Sequence, residues 1–172
     1  SPTYLQESGI MTAAESKLAF SIHNYVGAVG TIICGWISAK FFKGKCAPAN
    51  VIFMSLVTVG AIIYWQIPAL AAATGIAAKV WAYVALILIG FCIYGPVALV
   101  TIQAVNLVPK NATGTAAGFV GIFGYLVGDS LLSKIIVGSV ADYSWNAANL
   151  TMVIGAALGV VLCILTIKSE KA

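Results

Sequence analysis

Five polar or ionisable side chains, those of His23, Asn24, Tyr94, Tyr125 and Asp129, lie inside long apolar stretches of the sequence. Ionisable groups are costly in lipid, so they usually face the interior of a helix bundle or a water-filled cavity. Two interpretations of His23 stay open: it lines a cavity, or it lies near the membrane interface and hydrogen-bonds to a neighbouring carbonyl. Asp129 lies about 22 Å along its predicted helix, too deep to reach an interface easily.

These residues do not form an enzyme constellation. The chain has one histidine, two aspartates in different contexts, and neither a nucleophile elbow nor a metal-ligand cluster. Its four cysteines lack Cys-x-x-Cys or Cys/His metal spacing, so we interpret them as small packing residues. We therefore expect a protein that is not an enzyme and that uses no cofactor and no metal.

The composition identifies the solvent as lipid. The chain is 61% hydrophobic and only 8% charged, whereas soluble domains carry about 25% charged residues. Most of its length consists of apolar runs long enough to cross a bilayer, which predicts an integral membrane protein. The net charge of +4 comes from nine lysines without any arginine. Because these lysines lie mainly between the apolar runs, we expect them to set the topology rather than to bind nucleic acid.

The apolar runs predict an all-α integral membrane protein with five transmembrane helices, at about 17–39, 50–67, 80–107, 114–140 and 147–167. The second and fifth runs carry no charge, so we interpret them as lipid-facing helices. Residues 1–16 read as the tail of a preceding element plus a surface loop, with Ser16 as a candidate cap for the first span. Pro68 is expected to end the second span, and residues 69–79 to form a loop.

Glycines mark two sites of expected packing or gating. In the fourth span Gly118, Gly121 and Gly128 share one helical stripe with Tyr125. Glycine costs about 1 kcal/mol per residue against alanine in a helix, but small residues let membrane helices approach closely. The stripe is either a packing face alone or part of a functional helix. In the third span, Gly95-Pro96 predicts a kink, since proline removes a backbone hydrogen bond.

The lysines also predict an orientation. Loops 40–49 and 108–113 and the C-terminus fall on one side of a five-span topology and hold six lysines, against three near the other side. The excess predicts that the first side, including the C-terminus, is cytoplasmic.

Three stretches, 30–44, 62–69 and 93–126, resemble the organophosphate:phosphate antiporter family of the major facilitator superfamily, especially its glycerol-phosphate members. The resemblance implies that the chain corresponds to helices 8–12 of a 12-helix fold, most of the C-terminal six-helix bundle. The chain opens without an initiator methionine or signal peptide, and we expect it to be part of a longer protein whose N-terminal bundle is missing here. In this superfamily, helices 9 and 12 pack outside, in agreement with the two uncharged spans.

The resemblance implies uptake of glycerol 3-phosphate in exchange for inorganic phosphate, by alternating access in a bacterial inner membrane. Tyr94 and Tyr125 match the family's cavity tyrosines, and His23, Asn24 and Asp129 lie on helices at cavity positions. The family's two phosphate-binding arginines would lie upstream of Ser1. A planar, permanently charged guanidinium suits bidentate phosphate binding, so this segment alone should bind phosphate poorly.

Departures from the family pattern keep alternatives open. Ala39 stands where a cytoplasmic loop motif has an acid, and Asn24 where glycerol-phosphate members have one. Residues 128–130, with the later Lys134, resemble the hexose-phosphate members. The alternatives are therefore a hexose-phosphate or other organophosphate antiporter, or a transporter-like organophosphate sensor. A histidine near a phosphate site also predicts pH sensitivity, because its unperturbed pKa is about 6.5.

Overall fold

The computed structural model describes residues 2–124, 126 and 144–169, and within them the chain is helical, without β-strands. The described elements are α1 (Pro2–Glu7), α2 (Ala13–Phe41), α3 (Cys46–Trp65), α4 (Ile67–Thr74), α5 (Ala78–Asn106), a 3-10 turn (Lys110–Ala112), α6 (Thr113–Phe123) and α7 (Trp145–Ser169).

The predicted membrane-spanning architecture is confirmed for the part of the chain that the structure describes. There, four helices are long and apolar enough to cross a bilayer: α2, α3, α5 and α7. The predicted fourth span, 114–140, begins as α6, and its remainder lies outside the described residues. The structure is thus an all-α membrane bundle, with α2 and α5 side by side and α3 packed between α5 and α7.

The predicted loop at 69–79 is wrong for most of its length, because only residues 75–77 lie outside helices. Helix α3 ends at Trp65, and the short helix α4 follows at once, ending where Gly75 adopts a left-handed conformation with φ of 67°. Pro68 lies in the first turn of α4, where its missing N–H has no intrahelical partner to lose. The run is weakly hydrophobic because it is rich in alanine, and alanine is the best helix former.

The predicted cap at Ser16 is also wrong, because α2 begins earlier. Thr12 is the N-cap: its hydroxyl accepts from the Glu15 N–H at 3.4 Å, and the Glu15 carboxylate accepts from the Thr12 N–H at 2.9 Å. This reciprocal pair is a capping box. The same carboxylate group binds Lys79 at 2.7 Å, which joins the start of α2 to the start of α5. Ser16 is instead buried and accepts a hydrogen bond from Gln6 of α1.

Helix α3 corrects the interpretation that the second span is simply lipid-facing. Of the residues in its most apolar stretch, 44% are buried, against none in the most apolar stretch of α7. One face of α3 buries Phe53, Val57 and Tyr64 in two apolar clusters shared with α2 and α5. An absence of charge therefore identified a membrane helix, but not whether its faces meet lipid or protein.

Close contact between α2 and α5 depends on glycines of both helices. A Cβ atom at Gly30 would overlap the backbone carbonyl of Phe91, and one at Gly90 would lie 2.5 Å from the carbonyl oxygen of His23. At Gly95 it would lie 2.5 Å from Cβ of Cys34. These positions let the two backbones approach, as small residues do in membrane bundles. Helix α5 continues through Pro96, directly beside this contact.

Asn50 supplies a first testable prediction, on stability. Its side chain is 1% exposed, and neither amide atom has a hydrogen-bond partner among the described residues. An unpaired buried amide costs about 1–3 kcal/mol. We therefore expect Asn50→Leu, which is similar in size, to raise the melting temperature of the detergent-solubilised protein. The isosteric Asn50→Asp is the control and should lower it, since a buried carboxyl is harder to desolvate. A lower melting temperature for Asn50→Leu would contradict the prediction.

Candidate functional site between helices α2 and α5

A hydrogen-bonded pair joins two of the predicted site residues across 70 positions of sequence. The Tyr94 hydroxyl of α5 donates to Oδ1 of Asn24 on α2 at 2.6 Å. The Asn24 Nδ2 donates in turn to the Phe20 carbonyl oxygen, one turn earlier, at 3.0 Å. The amide orientation is therefore fixed at both ends, and it holds the tyrosine hydroxyl in one position. Both side chains are exposed on the face of the described bundle.

Gly27 determines where the Tyr94 ring lies. A Cβ atom at Gly27 would overlap the ring at Cδ2, so the aromatic side chain packs directly on the glycine backbone. Gly27 follows His23 by one turn on α2, and it was not among the site residues predicted from the sequence. This contact could have been predicted from the sequence. A glycine follows His23 by one helical turn, and an aromatic residue lies within another span that was predicted to line the cavity.

His23 lies beside this pair and bonds to the neighbouring helix. Its Nδ1 lies 2.8 Å from the Leu86 carbonyl oxygen, so Nδ1 carries the proton and donates it to that acceptor. The imidazole stacks on Phe20, with ring centroids 5.7 Å apart, and meets the edge of Tyr94 at 6.1 Å. Three predicted site residues, His23, Asn24 and Tyr94, are therefore brought together.

Two observations bear on the interpretations of His23 that the sequence left open, and its role stays a prediction. It is hydrogen-bonded to a carbonyl, and it also lines a cavity of about 210 Å³ together with Ser16, Tyr64 and Met152. Asn24 and Tyr94 are not among the residues that line this cavity, and most of its wall is apolar. Of the three clustered residues, His23 alone therefore borders this space.

The cluster provides hydrogen bonds but little charge. Among the described side chains, the lysines of α2 and α5 lie near helix ends, as Lys17, Lys40 and Lys79. In the part of the chain that the structure describes, no group of three or more His, Cys, Asp or Glu side chains could hold a metal ion. An anion bound here would find a tyrosine hydroxyl, an amide and an imidazole, and it would need positive charge from elsewhere.

The other predicted site residues are not gathered by the described structure. Tyr125, Gly128 and Asp129 lie outside the residues that can be placed. Gly118 and Gly121 lie on α6, where an added Cβ would meet no described atom within 4 Å. Their packing or gating role stays a prediction. Gly95 does pack closely, against Cys34, and Pro96 is buried beside it.

A second prediction concerns His23. If its protonation strengthens anion binding, anion exchange by the intact protein should increase as the pH falls from 8 to 5.5, and His23→Gln should flatten that profile. Glutamine can still donate to the Leu86 carbonyl oxygen, so the helix contact is kept while the imidazole is removed. The measurement is the exchange rate at several pH values. A wild-type rate that is flat over this range, and equal to that of His23→Gln, would contradict the prediction.

Apolar spanning helices with hydrogen-bonding side chains gathered between two of them are typical of membrane transport proteins. No protein-family model matches the chain. The chain is 41% identical over 171 residues to the glycerol-3-phosphate transporter of Bacillus subtilis, covering 99% of this chain and 37% of that relative.

Two further relatives agree. The glycerol-3-phosphate transporter of Haemophilus influenzae is 38% identical over 99% of this chain and 37% of its own length. The hexose-6-phosphate:phosphate antiporter of Salmonella typhimurium is 32% identical over 72% of this chain and 24% of its own length. The chain thus belongs to the organophosphate:phosphate antiporter family of the major facilitator superfamily, and it spans little more than a third of the length of the first two relatives.

Proposed function

We propose that the protein containing this chain takes up glycerol 3-phosphate in exchange for inorganic phosphate, by alternating access. The observation that carries the proposal is the match to two glycerol-3-phosphate transporters over 99% of the chain. The cluster of His23, Asn24 and Tyr94 supports it, because it offers hydrogen bonds at mid-helix, where such transporters bind substrate. The membrane is a bacterial inner membrane, and the C-terminus is cytoplasmic.

In this mechanism Tyr94 changes partner. Its hydroxyl proton is donated to Asn24 in the present structure, so it is not simultaneously available to an acceptor-only phosphate oxygen. Substrate binding requires the hydroxyl to turn from the amide to the phosphate. Arginines that lie upstream of Ser1 supply the positive charge that this cluster lacks. The close backbone contact at Gly30 and Gly95 lies immediately along α2 and α5 from this pair, so movement between the helices would reach it directly.

A hexose-phosphate antiporter is the second candidate. The similarity of residues 128–130 and Lys134 to the hexose-phosphate members favours it, as does the relative named as a hexose-6-phosphate:phosphate antiporter. Because these residues lie outside the described structure, the distinction depends on transport measurements.

The test uses the full-length protein in phosphate-loaded proteoliposomes, with uptake of labelled phosphate competed by glycerol 3-phosphate or by glucose 6-phosphate. Strong competition by glycerol 3-phosphate alone supports the proposal. Strong competition by glucose 6-phosphate favours the second candidate. Binding of either compound without any exchange would contradict both and indicate a sensor.

A third prediction tests the role of Tyr94 rather than the identity of the substrate. Tyr94→Phe should weaken the apparent affinity for phosphate by about tenfold or more, since a hydrogen bond to a charged group contributes about 1.5–3 kcal/mol. Tyr25→Phe is the matched control, because Tyr25 lies next to Asn24 on α2 and is 77% exposed. Equal phosphate affinities for Tyr94→Phe and Tyr25→Phe would show that the Tyr94 hydroxyl does not bind the phosphate.

A further inference from the structure

Four lysines gather at one end of the described bundle. Helices α2 and α5 run in the same direction, because His23 contacts Leu86 and Glu15 contacts Lys79. The end of α2, with the loop that follows it, therefore lies at the same end of the bundle as the end of α5. This end carries a set of lysines that we call the lysine rim: Lys40, Lys43, Lys45 and Lys110.

The described acidic side chains lie at the opposite end. They are Glu15, which binds Lys79 at 2.7 Å, and Glu7, which accepts a hydrogen bond from the Trp145 indole at 2.8 Å. Within the described residues, the lysine rim is therefore not neutralised by a carboxylate. Because its lysines flank membrane-spanning helices, we expect their charges to lie at the level of the lipid head groups.

The backbone that carries the rim is held in place. Lys43 and Gly44 have positive φ angles of 53° and 83°, which produce a tight turn after α2. The Gly44 N–H donates to the Ser38 carbonyl oxygen at 3.0 Å, and the Ser38 hydroxyl donates to the Lys45 carbonyl oxygen at 3.0 Å. Lys43 and Lys45 are therefore presented from a fixed turn and Lys40 from the last turn of α2, which lowers the entropy lost when they bind a ligand.

Two aromatic side chains lie next to the rim. Trp36 is 55% exposed and Phe41 is 66% exposed, with their rings edge to face at 6.1 Å. The Lys40 ammonium lies 4.6 Å from the centre of the Trp36 ring, a cation–π contact. Exposed aromatic rings at the end of a membrane helix partition into the head-group region. An ammonium above such a ring is therefore held at the depth of the lipid phosphates.

We propose that the lysine rim, with Trp36 and Phe41, binds the head group of an anionic phospholipid. The lysines meet the lipid phosphate while the two rings pack against the upper part of the acyl chains. Each lysine near a membrane surface strengthens binding of anionic lipid by about fivefold, so four lysines select anionic over zwitterionic lipid. The site is separate from the cluster at Asn24 and Tyr94, and it does not depend on which substrate is transported.

The test measures which lipid contacts Trp36. The full-length protein is placed in nanodiscs of equal parts phosphatidylglycerol and phosphatidylcholine, with brominated chains on one lipid or the other. Bromine quenches nearby tryptophan, and the Trp36 contribution is the difference between the wild type and Trp36→Phe. We expect at least twofold stronger quenching of Trp36 by brominated phosphatidylglycerol. Equal quenching of Trp36 by both lipids would overturn the proposal, and this result does not require any substitution of the rim lysines.

Substitutions of the four lysines then test whether the lysine rim causes the preference for phosphatidylglycerol. Replacing the four lysines by glutamine should make the two quenching values equal, while Lys79→Gln, at the opposite end of the bundle, should leave the preference intact. A preference that survives the fourfold replacement would overturn the proposal. Millimolar inorganic phosphate should leave the preference unchanged. Its loss on adding phosphate would show that the rim binds free phosphate instead.

Discussion

Gly30→Ala should force helices α2 and α5 apart and destabilise the protein by about 3 kcal/mol, the upper part of the range for overpacking. The added methyl group would overlap the carbonyl of Phe91. That carbonyl belongs to the backbone of a helix, so no side chain can rotate away, and the helices themselves must separate. The melting temperature of the detergent-solubilised protein, followed by size-exclusion chromatography, measures the effect.

Gly35→Ala is the matched control for Gly30→Ala. Gly35 lies in the same helix, but a Cβ atom there would meet nothing described within 4 Å. Alanine is favoured over glycine in a helix by about 1 kcal/mol, so this variant should be as stable as the wild type or more so. Equal melting temperatures for the two variants would mean that the close contact between α2 and α5 does not exist in the folded protein.

Gly27→Ala should reduce exchange by about a hundredfold while leaving the protein folded. Its methyl group would overlap the ring of Tyr94, which can turn aside, and would lie 3.0 Å from the backbone carbonyl oxygen of Gly90, a looser contact than the one at Gly30. Turning the ring breaks the hydrogen bond from its hydroxyl to Asn24 and moves the hydroxyl away from the proposed phosphate position. A displacement of about 1 Å of a substrate-positioning group is enough for a loss of this size.

Exchange and stability must be measured together for Gly27→Ala. We expect a large loss of exchange with a smaller loss of stability than for Gly30→Ala. Gly35→Ala again serves as the control and should keep wild-type exchange. An unchanged exchange rate for Gly27→Ala would show that the position of Tyr94 does not affect transport. Unfolding of this variant would show that the ring cannot move as proposed.

Both glycine predictions depend on contacts that lie beyond sequence reasoning. Gly27 and Gly30 lie about one turn apart on α2, but the residues that they contact, Tyr94 and Phe91, lie more than 60 positions away in the sequence. The predicted glycine stripe of the fourth span includes Gly118 and Gly121, but a Cβ atom added at either position would meet no described atom within 4 Å. A glycine in a membrane helix indicates that close approach is allowed. Which glycines are used depends on how the helices are arranged.

Some of the missed features were local and could have been found. Thr12 followed three residues later by Glu15 is the sequence signature of a capping box, and it marks the start of α2. The alanine-rich run after Pro68 has strong helix propensity and a proline suited to a first turn, in agreement with α4. Hydrophobicity alone detects membrane spans, but it detects neither a capping box nor a short alanine-rich helix.

The membrane class, the all-α architecture and the family followed from the sequence alone, because apolar length and local motifs do not depend on tertiary contacts. The burial of one face of α3, the hydrogen bond from Tyr94 to Asn24 and the contact of the Tyr94 ring with Gly27 became known only from the folded structure. The reason lies in the solvent. Lipid and protein interior are both apolar, so the pattern that separates inside from outside in water does not show which face of a membrane helix meets its neighbour.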